Sequence, residues 1–198
     1  MQINIDKKTG IFLGIIASLV AALVFVTLNR TENPMDDMDS HIGHMSSNST
    51  YTGADVMFLQ MMIPHHQQAI DMSNLALTRS TNTELLALAK KIATDQAAEI
   101  IQMRAWLKVA NATEDMGHSM HDMGGMLSEE ELANLKAASG SAFDKLWLNG
   151  MIGHHDGAIH MTNMIIDAQN AEIKRFGEKI VADQSAQITQ MKAMLAKL

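Results

Sequence analysis

The segment Met61-Met62-Ile63-Pro64-His65-His66-Gln67-Gln68-Ala69-Ile70-Asp71-Met72 returns 89 residues later as Gly150-Met151-Ile152-Gly153-His154-His155-Asp156-Gly157-Ala158-Ile159-His160-Met161. Around it, residues 55–75 and 144–164 share 10 identities in 21 positions. At an offset of 88, residues 84–107 and 172–195 share 11 in 24. Unrelated segments of this length would share about two or three, so the two halves are copies of one unit.

The later part of each copy carries an apolar stripe: Leu85, Leu88, Ile92, Gln96, Ile100, Met103 and Leu107, then Ile173, Phe176, Ile180, Gln184, Ile188, Met191 and Leu195. Steps of three and four place each stripe on one face of an amphipathic helix. The earlier part of each copy is also helical by pattern, with Pro64 and Gly153 at equivalent positions where a helix would kink or begin, so a local break is expected before each histidine pair. Turns are expected near Thr81-Asn82-Thr83 and Gln169-Asn170. Each copy then reads as an αα-hairpin, and two hairpins bury both stripes as an all-α four-helix bundle. A short extra helix is expected after Ser128, with Glu129, Glu130 and Glu131 in its first turn.

With 198 residues and 47% hydrophobic content, the chain has material for a single core beyond its apolar N-terminal stretch. Residues 11–28 carry no charge and follow Lys7 and Lys8, the pattern of an export signal or a membrane anchor. Eighteen residues is near the lower limit for a bilayer span and no small-x-small cleavage site follows, so an uncleaved anchor is the preferred expectation. The remainder is then expected outside the cytoplasm, in the periplasm or an equivalent compartment, tied to the inner membrane. Residues 29–54 read as a flexible tether and 55–198 as the bundle, interrupted by a linker over 111–127. Without residues 1–28, 13 basic residues face 21 acidic ones, a formal charge of −8, which disfavours nucleic acid as a partner and does not repel cations.

The chain has 18 methionines, 9 histidines and no cysteine. No disulfide framework is available to an exported domain of this kind. At about 100° per residue, Met61, His65 and Met72 fall in one sector of a helix, as do His154 and Met161 in the second copy. Met62 with His66, Met151 with His155, and His160 with Met164 are further pairs one turn apart. Methionine at helical spacing often only fills core gaps, so Met103 and Met191 are candidate ligands for which a plain core role is an equal alternative. The histidine pairs are different, because both persisted while neighbouring positions diverged.

Thioether and imidazole together form a soft donor set suited to Cu(I), with Cu(II) also accepted and Ag(I) as a surrogate. Histidine must be unprotonated to bind, so a bundle site is expected to weaken below about pH 6, near the ordinary imidazole pKa, and methionine-rich segments less so. Asp95 with Gln96, and Asp183 with Gln184, are candidates to accept a ligating histidine's second ring N–H. Two more donor-rich stretches lie outside the repeats. One holds Met35, Met38, His41, His44 and Met45, and the other Met116, His118, Met120, His121, Met123 and Met126. They read as weaker sites for capture and hand-over, because ordering a mobile segment costs entropy.

On these doubled His-His…Met motifs, the chain resembles the domain-of-unknown-function family 305 over roughly residues 52 to 197. The resemblance implies a ferritin-type four-helix bundle associated with periplasmic copper binding and resistance, with His65, His66, Met72, His154, His155 and Met161 as ligands. Di-iron chemistry does not follow from that fold analogy, because those centres need a Glu-x-x-His motif that this chain lacks. The leading expectation is a non-enzymatic copper binder that limits toxicity or passes the ion to a copper exporter or sensor. A copper-dependent oxidase or reductase is the alternative, and a membrane-tethered structural or sensor module with incidental methionine content is a third. Hydrolase and NTPase motifs are absent from the sequence.

Overall fold

The computed structural model describes residues 50–115 and 124–198. Four long helices carry the fold: α1 (Gly53–Arg79), α2 (Thr83–Val109), α4 (Gly140–Met161) and α5 (Ala171–Leu195), with a short α3 (Glu129–Ala137) before the second pair and a 3₁₀ turn (Thr162–Ile165) after α4. α1 packs along α2 and α4 along α5, and α1 also faces α4, so two hairpins form an all-helical four-helix bundle. The expected segment 1–28, and residues 29–49 of the tether, lie outside the described residues. Among the described residues, no helix is long and apolar enough to cross a membrane.

Local signals account for where the helices start. Thr52 and Asp55 form a reciprocal capping box on α1, as Ser128 and Glu131 do on α3. Asn82 accepts from the amides of Glu84 and Leu85, and Asn170, its counterpart 88 residues on, accepts from Glu172 and Ile173. The duplication therefore copied the caps with the stripes. α2 ends in a Schellman arrangement: Asn111 has a φ of 54°, its amide donates to Lys108 and that of Ala112 donates to Leu107.

The break expected before each histidine pair is not present. α1 runs unbroken through Pro64 and α4 through Gly153, so both pairs lie in the middle of continuous helices. A proline forfeits one backbone hydrogen bond, but twenty-seven helical residues with a buried face keep the helix continuous on either side of it.

The bundle interior is layered. One apolar cluster gathers Ala69, Met72, Leu85, Ile92, Trp147, Met151 and Met191, and a second gathers Phe58, Met62, Ile100, Met103, Ala158, Met161 and Ile180. Along each of the four long helices, membership passes from one cluster to the other at a polar step: His65-His66 on α1, Gln96 on α2, His154-His155 on α4 and Gln184 to Gln187 on α5. A polar layer thus crosses the bundle between two hydrophobic halves.

Candidate metal centre

Adjacent residues on a helix point about 100° apart, so His65 and His66 cannot both face the bundle axis. All four histidines of the two His-His pairs are nonetheless 0% exposed. His65 and His154 meet across the α1–α4 interface with ring centroids 3.8 Å apart and planes tilted by 37°. Their neighbours turn sideways into the hairpin seams. His66 Nε2 lies 2.8 Å from Glu99 Oε2 on α2, and His155 Nε2 lies 2.6 Å from Gln187 Oε1 on α5.

An ionised carboxylate can only accept, so Nε2 of His66 carries a proton and donates it to Glu99, and the Gln187 carbonyl accepts from Nε2 of His155 in the same way. His66 Nδ1, His155 Nδ1 and both ring nitrogens of His65 and His154 are buried without a hydrogen-bond partner. The backbone of Gly124 lies close enough to His65, and that of His65 to His154, to favour the charged rings slightly, but neither contact has hydrogen-bond geometry. Orphaned polar nitrogens are costly inside a protein, and this many in one layer mark a place built for a ligand that they could share.

Burial, with help from the nearby His66 and His155, pushes His65 down to about 3. Burial pushes His155 down to about 4 against its hydrogen bond to the Gln187 carbonyl, and it holds His154 well below its ordinary value. These imidazoles are therefore neutral and ready to donate at pH values where a solvent-exposed histidine is protonated. The expected weakening of a bundle site below about pH 6 rests on the ordinary imidazole value, and burial lowers His65, His154 and His155 below it. Burial would raise the Glu99 carboxyl, but hydrogen bonds from His66 and Lys179 and their charges bring it below its usual value.

The thioethers flank the histidine layer on both sides. Met72, Met151 and Met191 belong to one apolar cluster and Met62, Met103 and Met161 to the other, all at most 7% exposed. Met61 and Met164 are partly buried at the edge of the second cluster. His160 is exposed, and Met164 sits in the 3₁₀ turn rather than one helical turn along from it. Met126 is partly buried; Met35, Met38, His41, His44, Met45, Met116, His118, Met120, His121 and Met123 lie outside the described residues.

Among the described residues, no group of three or more His, Asp or Glu side chains is arranged to hold a metal ion. Paired neutral imidazoles between two banks of thioether suit a soft ion that accepts few donors.

The expected supporting pairs are corrected as well. Asp95 binds Lys91 and Asp183 binds Lys179, both on the outside, while Gln96 and Gln184 are buried with their carbonyl oxygens unpartnered. The histidines are met one turn further along by Glu99 and Gln187, which occupy equivalent positions in the two copies. The signal for them was their place three residues after Gln96 and Gln184, on the same face of the same stripe.

The family model described as a domain of unknown function (DUF305) matches residues 55–195. A solved DUF305 protein from Streptomyces coelicolor, assigned as secreted, is 29% identical, covers 73% of this chain and 93% of its own, and superposes with a TM-score of 0.69. A DUF305 fragment from Deinococcus radiodurans is 34% identical over 74% of this chain and 98% of its own, with a TM-score of 0.70. CopM in its Cu(I)-bound form is 32% identical over 74% of this chain and 97% of its own, with a TM-score of 0.62, and has also been solved with Cu(II), with silver and in the apo form. No curated protein matches the chain.

Proposed function

The chain belongs to the DUF305 family, and from that premise and the geometry of the histidine layer we propose that it is a copper-binding protein that holds Cu(I), and also Cu(II), and sequesters the ion or hands it on. One observation carries this reading: four fully buried imidazoles drawn from both copies, six of whose ring nitrogens have no partner, packed between methionines. The CopM structures with bound copper and silver support the same ion class.

Within the reading, His65 and His154 form the central pair, with His66 and His155 beside them. Met62, Met72, Met103, Met151, Met161 and Met191 are the buried thioethers of the two apolar clusters on either side of the layer. The segments around 35–45 and 116–126 serve as outer, weaker capture points. The role is non-enzymatic copper homeostasis or resistance in the periplasm or an equivalent compartment, with the apolar N-terminal stretch as membrane tether or export signal and a copper exporter or sensor as recipient.

The test is a chelator-competed titration of the full chain with Cu(I) and Ag(I), repeated with His65→Ala and His154→Ala combined. Loss of the tightest site in the double variant is the expected result. Unchanged affinity and stoichiometry in a folded double variant would remove the bundle from copper binding.

A further inference from the structure

Residues Gly124 to Leu127 form a strap across the seam between α1 and α4, over the histidine layer. On the α4 side the strap lies on Gly150, Gly153 and Gly157, which share one face of the helix. A Cβ on Gly150 would stand 3.1 Å from the Leu127 side chain, one on Gly125 would meet the Gly153 carbonyl oxygen at 2.6 Å, and Gly157 faces the Gly124 carbonyl. On the α1 side the Gln68 side chain accepts from the Leu127 amide at 2.8 Å and donates to its carbonyl at 3.0 Å. Gln68 sits one turn after His65, and the Gly124 backbone lies beside the His65 ring. Gly124 and Gly125 are exposed whereas His65 and His154 are 0% exposed, so one thickness of backbone shields the pair on this face. A groove of about 970 Å³ opens next to the strap. It is bordered by Gly124, Gly125 and Gly157, carries Asp156 and His160 on its wall, and reaches Met161, which is 7% exposed.

We propose that the Gly124–Leu127 strap is the gate through which the ion passes from this groove to the His65–His154 pair, and that Gln68 is the positioning residue that holds it closed. The proposal rests on the copper reading above. His154, Gly157 and Met161 follow one another along α4 at steps of three and four, so they lie along one face of the helix. The groove brings solvent as far as Met161, and the contact of Gly124 with Gly157 closes the remaining way to His154. A contact too close for a methyl carbon is too close for a metal ion, so the ion passes only when the strap lifts. Lifting is local. It breaks the two Gln68 hydrogen bonds and leaves the helices in place, and openings of that size cost far less than global unfolding. Along the groove, His160 and Met161 offer an imidazole and a thioether to the arriving ion. The layer holds the ion and the strap does not, so Gln68 sets the rate of exchange and not the affinity.

Full-length wild type, Gln68→Ala and Gly157→Ala are compared by stopped flow for Cu(I) uptake from a chromogenic chelator and Cu(I) release to an excess of it, and by chelator competition at equilibrium. Gln68→Ala removes both hydrogen bonds to the strap. It is expected to speed uptake and release about tenfold each while Kd stays within about threefold. Unchanged rates in a folded Gln68→Ala protein overturn the proposal. So does weaker binding without faster uptake, which is what a merely structural role would give. Gly157→Ala displaces the same strap from the α4 side and keeps the test decisive if Gln68→Ala does not fold. It too is expected to speed both rates, and faster amide exchange at Gly124–Leu127 with wild-type ion rates overturns the proposal. Entry from the opposite seam, between α2 and α5, would leave both variants at wild-type rates and overturn it in the same way. Failure of the copper reading itself looks different: the wild type would then bind neither Cu(I) nor Ag(I) in a manner sensitive to His65 and His154.

Discussion

At the scale of single residues, His154 sits in the interior with neither ring nitrogen partnered, stacked against an equally orphaned His65. Such a side chain costs stability in the metal-free protein, because hydrogen bonds to water are given up and not replaced. Replacing it by an apolar side chain of similar volume should therefore help the fold and harm the function. His154→Leu is expected to raise the stability of the metal-free protein by about 1–3 kcal/mol, and to abolish most of the stabilisation by Ag(I). Paired thermal melts with and without Ag(I) measure both effects, and a destabilised metal-free variant would mean that the imidazole is satisfied in solution. Gln96 and Gln184 present the same problem in milder form, each with a buried carbonyl oxygen unpartnered. Changing both to Leu should leave copper affinity within about threefold and raise the unfolding free energy by roughly 1 kcal/mol each.

At the scale of elements, α4 owes its middle to small residues. The Gly124-Gly125 step, where the loop rejoins the described chain, lies directly on α4. A Cβ on Gly125 would stand 2.6 Å from the Gly153 carbonyl oxygen, and one on Gly157 would collide with the Gly124 carbonyl. Gly125 also has a φ of 87°, which an L side chain rarely adopts. The strap continues to Leu127, whose amide and carbonyl are both held by the Gln68 side chain of α1 at 2.8 and 3.0 Å. Gly157→Ala should improve α4 as a helix by up to about 1 kcal/mol, but it strikes backbone that cannot rotate away. The strap is the part that gives. Amide exchange at Gly124–Leu127 is expected to accelerate while the melting temperature moves little, and unchanged protection there would contradict the close approach of loop and helix.

At the scale of the whole molecule, the buried histidines couple folding to pH. In the unfolded chain they titrate near 6.5, whereas in the fold His65 is pushed down to about 3 and His155 to about 4. Between those limits the unfolded chain binds more protons, so stability rises with pH across the window and is lost as pH falls from about 6.5 toward 3. Above about 6.5 these groups add no slope. Glu99, held below its usual value, adds further loss at the acid end. Urea midpoints of metal-free protein from pH 8 to 4 should therefore be flat and then fall, with a shallower fall in His65→Leu/His154→Leu. A bound ion that prefers the folded chain adds stability of about 2.7 kcal/mol at a hundredfold excess over its Kd. Copper-loaded protein should accordingly keep its midpoint to lower pH than metal-free protein.

The order of the amino acids determined the duplication, the two amphipathic stripes, the asparagine caps, the short helix after Ser128 and the choice of a soft donor set, because each is local or periodic and follows from side-chain chemistry along a single helix. Tertiary structure alone decided that both histidines of each pair are buried and that His65 meets His154. It also decided that the supporting acceptors are Glu99 and Gln187, not the aspartates beside Gln96 and Gln184. Those outcomes depend on how four helices are rotated against one another, and a rotation of one residue exchanges a side chain that faces the axis for one that faces a seam. The unbroken passage of α1 through Pro64 belongs with them. Local chemistry favours a break at that position, and the packing of the helix on both sides of the histidine layer outweighs it.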